Sequence, residues 1–328
     1  MNIDHIVEKV RRTVESHKLS DGAYARYLWQ NEKGTRKMGV NEYGCADAAN
    51  LLYIIGDFPS EPAIRAKWIS AMQQMQDKET GLFHEDTHHT FHTTAHVTAA
   101  LELFDARPLY PLTAFEKYLD KDELFALLEG INWYERPWSE AHIGAGLYAA
   151  LANTRKIDAA WQDAYFGWLT ERCSPETGIS YGAKLGGDLL SHHLYGWFHY
   201  LFCFEHAHRP IPYPEKLIDS IISLYRSQED PYLGMGCDFR EVDVVYSISR
   251  ASRQTPHRYD EVKALLREFA GKYIPRLAAI DETKDDGFND LHRLFGVMCC
   301  VAELQSALPG EYTTTVPLKG VLDRRPFI

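Results

Sequence analysis

No run of five basic residues occurs in this chain of 328 residues, and its formal net charge is −11. Phosphate backbones are held by clustered Lys and Arg, so neither a nucleic acid nor a polyanionic membrane surface is an expected partner. Long apolar runs are missing too: the longest are too short and too interrupted to span a bilayer. The first residues, MNIDHIVEKVRRTVESHKL, are charged and amphipathic, unlike the apolar core of a signal peptide. No CxxC pair joins the six cysteines (Cys45, Cys173, Cys203, Cys237, Cys299 and Cys300), which read as scattered reduced thiols. There is no GxGxxG after a strand, no GxxxxGK(S/T), no GxSxG and no DDxxD, so nucleotide-cofactor and magnesium-diphosphate chemistry find no support. These absences suit a cytoplasmic protein without a resident cofactor.

What is present is periodic. Stretches rich in Gly, Ala and Leu begin just after polar clusters near Glu42, His92, Glu140, His192, Glu241 and Asp290, at intervals of 50, 48, 52, 49 and 49 residues. A repeat of about 50 residues is too long for one helix and suits one helical hairpin with its loops. Six stretches are apolar or small on most faces: GCADAANLLYII, HTTAHVTAALELF, EAHIGAGLYAALA, HHLYGWFHYLFCF, EVDVVYSISRA and DLHRLFGVMCCVAEL. Six others, Ile3–His17, Glu61–Gln76, Leu112–Glu129, Asp158–Arg172, Tyr213–Ser227 and Tyr259–Leu277, mix charges with apolar residues at i, i+3, i+4 spacing. Dry and wet helices in alternation predict an all-α fold, an (α/α)6 toroid with the dry helices inside, formed by residues 1–310 as one domain. Residues 311–328 break the pattern and are expected to lie extended over the surface.

The connections differ by rim. Links after the dry helices are short and Pro-marked, as in GDFPSEP and DARPLYPLT. Links before them are longer and carry Gly, polar and aromatic residues, as in QDKETGLFHEDTHH and CSPETGISYGAKLGGD. Function is expected on the elaborate rim, where the dry helices begin.

The segment Gln76-Asp-Lys-Glu-Thr-Gly-Leu-Phe, followed by HTTAHVTAALEL, resembles one repeat of the α/α-toroid enzymes. Cys173-Ser-Pro-Glu-Thr-Gly-Ile-Ser and Gln228-Glu-Asp-Pro-Tyr-Leu-Gly-Met-Gly are similar. One branch of that architecture holds terpene cyclases and protein prenyltransferase β subunits, with Q-x-x-D-G-G-(F/W) repeats. Another holds carbohydrate-active enzymes such as unsaturated glycuronyl hydrolases, with D-x-x-T-G-L-(F/W) loops, and the form found here is nearer to it. The prenyltransferase branch would imply zinc at Cys237, Asp238 and His292, yet Cys and Asp adjoin here where that family puts one residue between them. The acid motif of the cyclases is reduced to Glu241-Val-Asp243-Val.

Glu140 with His142, Arg240 with Glu241 and Asp243, and Asp290 with His292 each place ionisable groups within one turn of a dry-helix start. Carboxylates there can serve as caps, but a helix N-terminus disfavours cations, so the basic partners point to a polar cavity. Asp243 and His292 are the leading acid–base pair, with Glu241, His142 and Glu140 assisting. In the run His84-Glu-Asp-Thr-His88-His89-Thr-Phe-His92-Thr-Thr-Ala-His96, His92 and His96 share a helical face. Without HExxH that face is read as pocket lining, and no metal is expected. Tyr43, Asp47, His192, Arg240 and Asp290 are further substrate-binding candidates. Trp133, Tyr134, Trp138 and Tyr181 supply faces for a sugar ring. The expected activity is that of a glycoside hydrolase on an oligosaccharide or other small molecule. The rivals are an isoprenoid enzyme of the cyclase or prenyltransferase kind and a ligand-binding ring without catalysis.

Overall fold

Backbones can approach closely only where side chains are small, and that rule sorts the helices of this chain. In the computed structural model, which describes residues 1–187 and 189–327, the chain is mostly helical. Its helices are α1 (Asp4–His17), α2 (Glu42–Ile55), α3 (Pro62–Gln73), α4 (Thr90–Leu103), α5 (Lys121–Glu129), α6 (Pro137–Asn153), α7 (Ala159–Arg172), α8 (Leu190–His206), α9 (Pro214–Ser227), α10 (Arg240–Gln254), α11 (Tyr259–Ala279), α12 (Asp286–Asn289), α13 (Leu291–Ala307) and α14 (Val321–Arg324). A 3-10 helix spans Thr113–Leu119, and β1 (Lys18–Ser20) pairs antiparallel with β2 (Ala23–Tyr24). Among the described residues no helix is long and apolar enough to cross a membrane.

The six dry stretches form α2, α4, α6, α8, α10 and α13. Each packs on the next in that order, and α13 also packs on α2. Gly146 of α6 shows why the order holds: a Cβ there would meet the Phe91 backbone carbonyl oxygen at 2.7 Å. Gly144 would likewise strike the Tyr200 hydroxyl at 2.5 Å. By contrast, α1, α3, α7, α9 and α11 each bury one face only. In α1 the buried residues Ile6, Val10 and Val14 recur at i, i+4, the stripe of a helix with one dry side.

One expected helix is two. The stretch Leu112–Glu129 breaks at Asp120, whose side chain accepts from the Asp122 and Glu123 backbone amides and starts α5 afresh. All six cysteines are free and buried.

The tail departs from the expected surface course. Its segment 321–324 is helical, and α14 packs on α2 and α8. Arg250 pairs with Glu303 of α13 at 2.6 Å and with Asp323 of α14 at 2.5 Å, and Arg324 pairs with Glu102 at 2.9 Å. Beyond this clamp the chain turns inward, so that Arg325, Pro326 and Phe327 are buried. Phe327 packs its ring edge-on to Phe202, 5.6 Å between centres.

Candidate functional site

Caps fix the polar side chains near the starts of α2, α4 and α13. Asn41 accepts from the Tyr43 amide at 2.8 Å, starting α2 so that Tyr43 and Asp47, at i and i+4, share a face. The His89 ring caps α4 through the Phe91 amide at 3.2 Å, which sets His92 and His96 on one face. Asp290 caps α13 through the His292 amide at 3.1 Å. α6 begins at Pro137 and carries His142, while α8 carries His199 in its third turn.

These side chains converge. Asp47 lies between two imidazoles, with Oδ1 2.7 Å from His96 Nε2 and Oδ2 3.1 Å from His292 Nδ1. The Tyr43 hydroxyl meets His92 Nδ1 at 2.6 Å, and the Tyr43 ring stacks on His96. The His142 ring centre is 4.3 Å from that of His92 and 4.7 Å from that of His199. His88 stacks on His92 at 4.7 Å and meets His292 edge-on at 5.0 Å. The His199 Nδ1 lies 2.9 Å from the Tyr195 carbonyl, which can only accept, so that nitrogen carries the proton and Nε2 keeps its lone pair.

A paired charge closes the rim side. The segment after β2 crosses the ends of α2 and α13: Ala25 bridges to Val40 and Tyr27 to Asp290, and Asn289 Oδ1 accepts from the Leu28 and Trp29 amides. That course buries Arg26, which binds Asp290 at 2.8 and 3.1 Å, Thr87 at 2.7 Å and Glu85 at 3.5 Å. Its guanidinium also lies 4.8 Å from the Tyr43 ring centre. Burial alone would raise Glu85, but hydrogen bonds from His88 and Thr87 and the Arg26 charge hold it near 2. Burial pushes Asp47 well above the carboxylate range and drives His92, His96, His142 and His292 well below the imidazole range.

On the opposite side the tail forms a floor. The Phe327 ring lies 4.7 Å from His92 and 6.4 Å from His199, and Arg325 hydrogen-bonds Asn50 and the Phe327 carbonyl.

Of the residues expected from sequence, Tyr43, Asp47, His92, His96, His142 and His292 share this centre, with Asp290 at its edge. Asp243 is buried on α10 with neither carboxyl oxygen hydrogen-bonded, and burial raises it well above its usual range. Glu241 points at the preceding loop, where Oε1 accepts from the Gly234 amide at 2.9 Å, and burial pushes it up to about 8. Glu140 instead pairs with Arg136 at 3.4 Å, outside the cluster. Arg240 pairs with Asp230 and Asp238 and lies over the rings of Trp138 and Tyr232. Trp133 is buried, donates to the Leu128 carbonyl and packs against Trp168 and Tyr200, so its ring has no free face. Tyr134 is exposed against Tyr181, and His192 meets Trp138 edge-on. Cys237 abuts Gly287 and Asp238 is held by Arg240, so neither joins His292.

Four residues escaped the sequence reading. Arg26 and Glu85 lie in loops, where no periodicity marks an inward side chain. His199 lies two turns deeper than the polar clusters at the helix starts. Phe327 belongs to the patternless tail. His199 alone left a signal, since it stands seven residues after His192, a spacing that returns to nearly the same helical face.

Among the described residues three groups bring potential ligand atoms within 4.8 Å of one another: His88, His92 and His292; His92, His142 and His199; and Asp47, His96 and His292. No family model, curated protein or solved structure matches the chain.

Proposed function

We propose that this chain is a carbohydrate-active enzyme, a glycoside hydrolase in reaction class, working by carboxyl and imidazole proton transfer at the centre of a closed (α/α)6 toroid. The closed ring is inferred from the order of helix contacts, which returns from α13 to α2. The observation that carries the chemistry is Asp47, fully buried and shared by the imidazoles of His96 and His292. A carboxyl so placed orients both rings and shares their protons, the arrangement of a base held ready rather than of simple packing. Asp243, on the neighbouring helix α10, supplies the complementary group: a carboxyl that burial pushes well above its usual range, suited to giving a proton to a glycosidic oxygen. Phe239, one turn before Asp243, rests its ring 4.5 Å from His292 and ties the two helices together there. In this reading the Asp47-backed His292 takes the proton of the attacking water while Asp243 protonates the leaving oxygen. The rim suits a sugar, since Tyr134, Tyr181 and Trp138 offer partly open aromatic faces for the apolar side of a pyranose.

The test is a screen of saturated and unsaturated oligosaccharides with the wild type, Asp243→Asn and Asp47→Asn. Turnover of one substrate is expected, with each substitution lowering kcat by about 100-fold or more. Asp243→Asn acting at the wild-type rate would overturn the assignment, and a screen without any turnover would overturn the function.

A further inference from the structure

The proposed reaction uses Asp47, His292 and Asp243, and leaves His92, His142 and His199 without a task. We propose that His92, His142 and His199 form a binding site for a late first-row divalent ion such as zinc. The three come from α4, α6 and α8, which pack on one another in sequence and fix the distances between them. Their potential ligand atoms lie within 4.8 Å of one another, and metal–imidazole bonds of about 2.0–2.1 Å require only modest ring rotations to close that gap.

The other two groups are less suited. In Asp47, His96 and His292 the facing atoms are already hydrogen-bonded to one another. In His88, His92 and His292 one member, His88, lies in the loop before α4 and not on a helix. In the proposed set, Tyr43 holds His92 Nδ1 and the Tyr195 carbonyl holds His199 Nδ1, so Nε2 is the nitrogen each ring has to offer a metal. Partners on the far ring nitrogen orient metal-binding imidazoles and fix their tautomer. A hydroxyl and a carbonyl do so here, from α2 and from α8 itself.

The ring surroundings agree with this assignment. His142 is flanked by His92 and His199 rather than by a carboxylate that would claim its ring as an ion-pair partner. Three nitrogen ligands leave a fourth position for water or a substrate oxygen, the pattern of an open site and not of a closed structural one. Imidazole ligands without thiolate favour zinc, copper, nickel or cobalt over magnesium and calcium.

This inference stands apart from the sugar reading, because metal binding alone decides it. The full chain is stripped with a chelator, loaded with Zn2+ or Co2+, desalted and analysed for metal content, and Co2+ binding is followed by visible absorption. About one equivalent is expected in the wild type, with the absorption of a four-coordinate cobalt ion. His142→Gln and His199→Gln should each weaken binding by about tenfold or more, while His208→Gln, on the surface, should not. Far-UV circular dichroism and thermal melts establish that each variant is folded, and either folded variant suffices for the comparison. Absence of stoichiometric metal in the wild type overturns the proposal. So does unchanged binding in the folded His142 and His199 variants, or loss of binding with His88→Gln alone. Metal bound without any glycan turnover would sink the proposed reaction and leave the metal site standing.

Discussion

The Phe327 ring stands edge-on to the His92 imidazole, 4.7 Å between centres, although one belongs to the tail and the other to α4. The contact makes the tail part of the site. Phe327 is fully buried and also touches His96, His199 and Phe202. Phe327→Ala is expected to lower unfolding stability by about 3 kcal/mol in urea titrations, the usual cost of emptying a buried aromatic position. It should also speed hydrogen exchange of α4 and α8 amides near His92 and His199. An unchanged midpoint would mean that the floor is held by something other than this ring.

A second expectation concerns pH. Glu241 titrates near 8 in the folded chain against an ordinary value of 4.5, burial being the main cause. Between those values the folded state holds a proton that the unfolded chain has released. Its contribution to stability therefore declines as pH rises through that window, and the decline ends above about pH 8. Buried histidines act oppositely below their ordinary value, so the informative quantity is the difference between wild type and Glu241→Gln. Glu241→Gln keeps an acceptor for the Gly234 amide and removes the titration. The variant should gain on the wild type between pH 5 and 8 when melting temperatures are compared across that range, and equal slopes would refute the assignment.

How much of this could be read beforehand depended on periodicity. Glu42, Arg240 and Leu291 begin buried helices at or beside the expected positions, because a buried helix needs apolar and small residues all round and a polar start. The polar residues on those faces, Asp47, His92, His96 and His292, were visible for the same reason: an ionisable group on a dry helix stands out. Loops carry no such contrast. Arg26 is placed by a bridge between Tyr27 and Asp290, a pairing across most of the chain that no local spacing reveals. Trp133 misled because a loop aromatic was read as exposed, whereas its indole nitrogen finds the Leu128 carbonyl and the ring is buried. The break at Asp120 was present in the sequence as a capping residue inside an otherwise helical pattern.

The Arg26 cluster gives a third expectation. Asp290 and Glu85 are both buried, and Arg26 is the cation that each of them pairs with. Arg26→Met leaves two buried carboxyls without their cation and is expected to cost about 3–5 kcal/mol in chemical unfolding. Combining it with Asp290→Asn should recover part of that loss, since one uncompensated charge is then removed. Additive losses in the double variant would show that the pair contributes no coupling.

The close approach of α4 and α6 is testable at a single methyl group. Ala is favoured over Gly in a helix by about 1 kcal/mol, so Gly-to-Ala changes on helices normally stabilise. Gly167, on α7, has open space where a Cβ would go, and Gly167→Ala should follow that rule with a gain of about 0.5–1 kcal/mol. Gly146, on α6, would instead drive its methyl into the Phe91 carbonyl oxygen and carbon at 2.7 and 2.9 Å. Backbone cannot yield as a flexible side chain does, so α4 and α6 must separate. Gly146→Ala should lose about 1–3 kcal/mol despite its better helix propensity. Because α4 carries His92 and α6 carries His142, the same methyl should also lower the Zn2+ affinity of the centre. If Gly146→Ala is as stable as Gly167→Ala, the two inner helices are not in backbone contact, and the geometry that brings the imidazoles together fails with it.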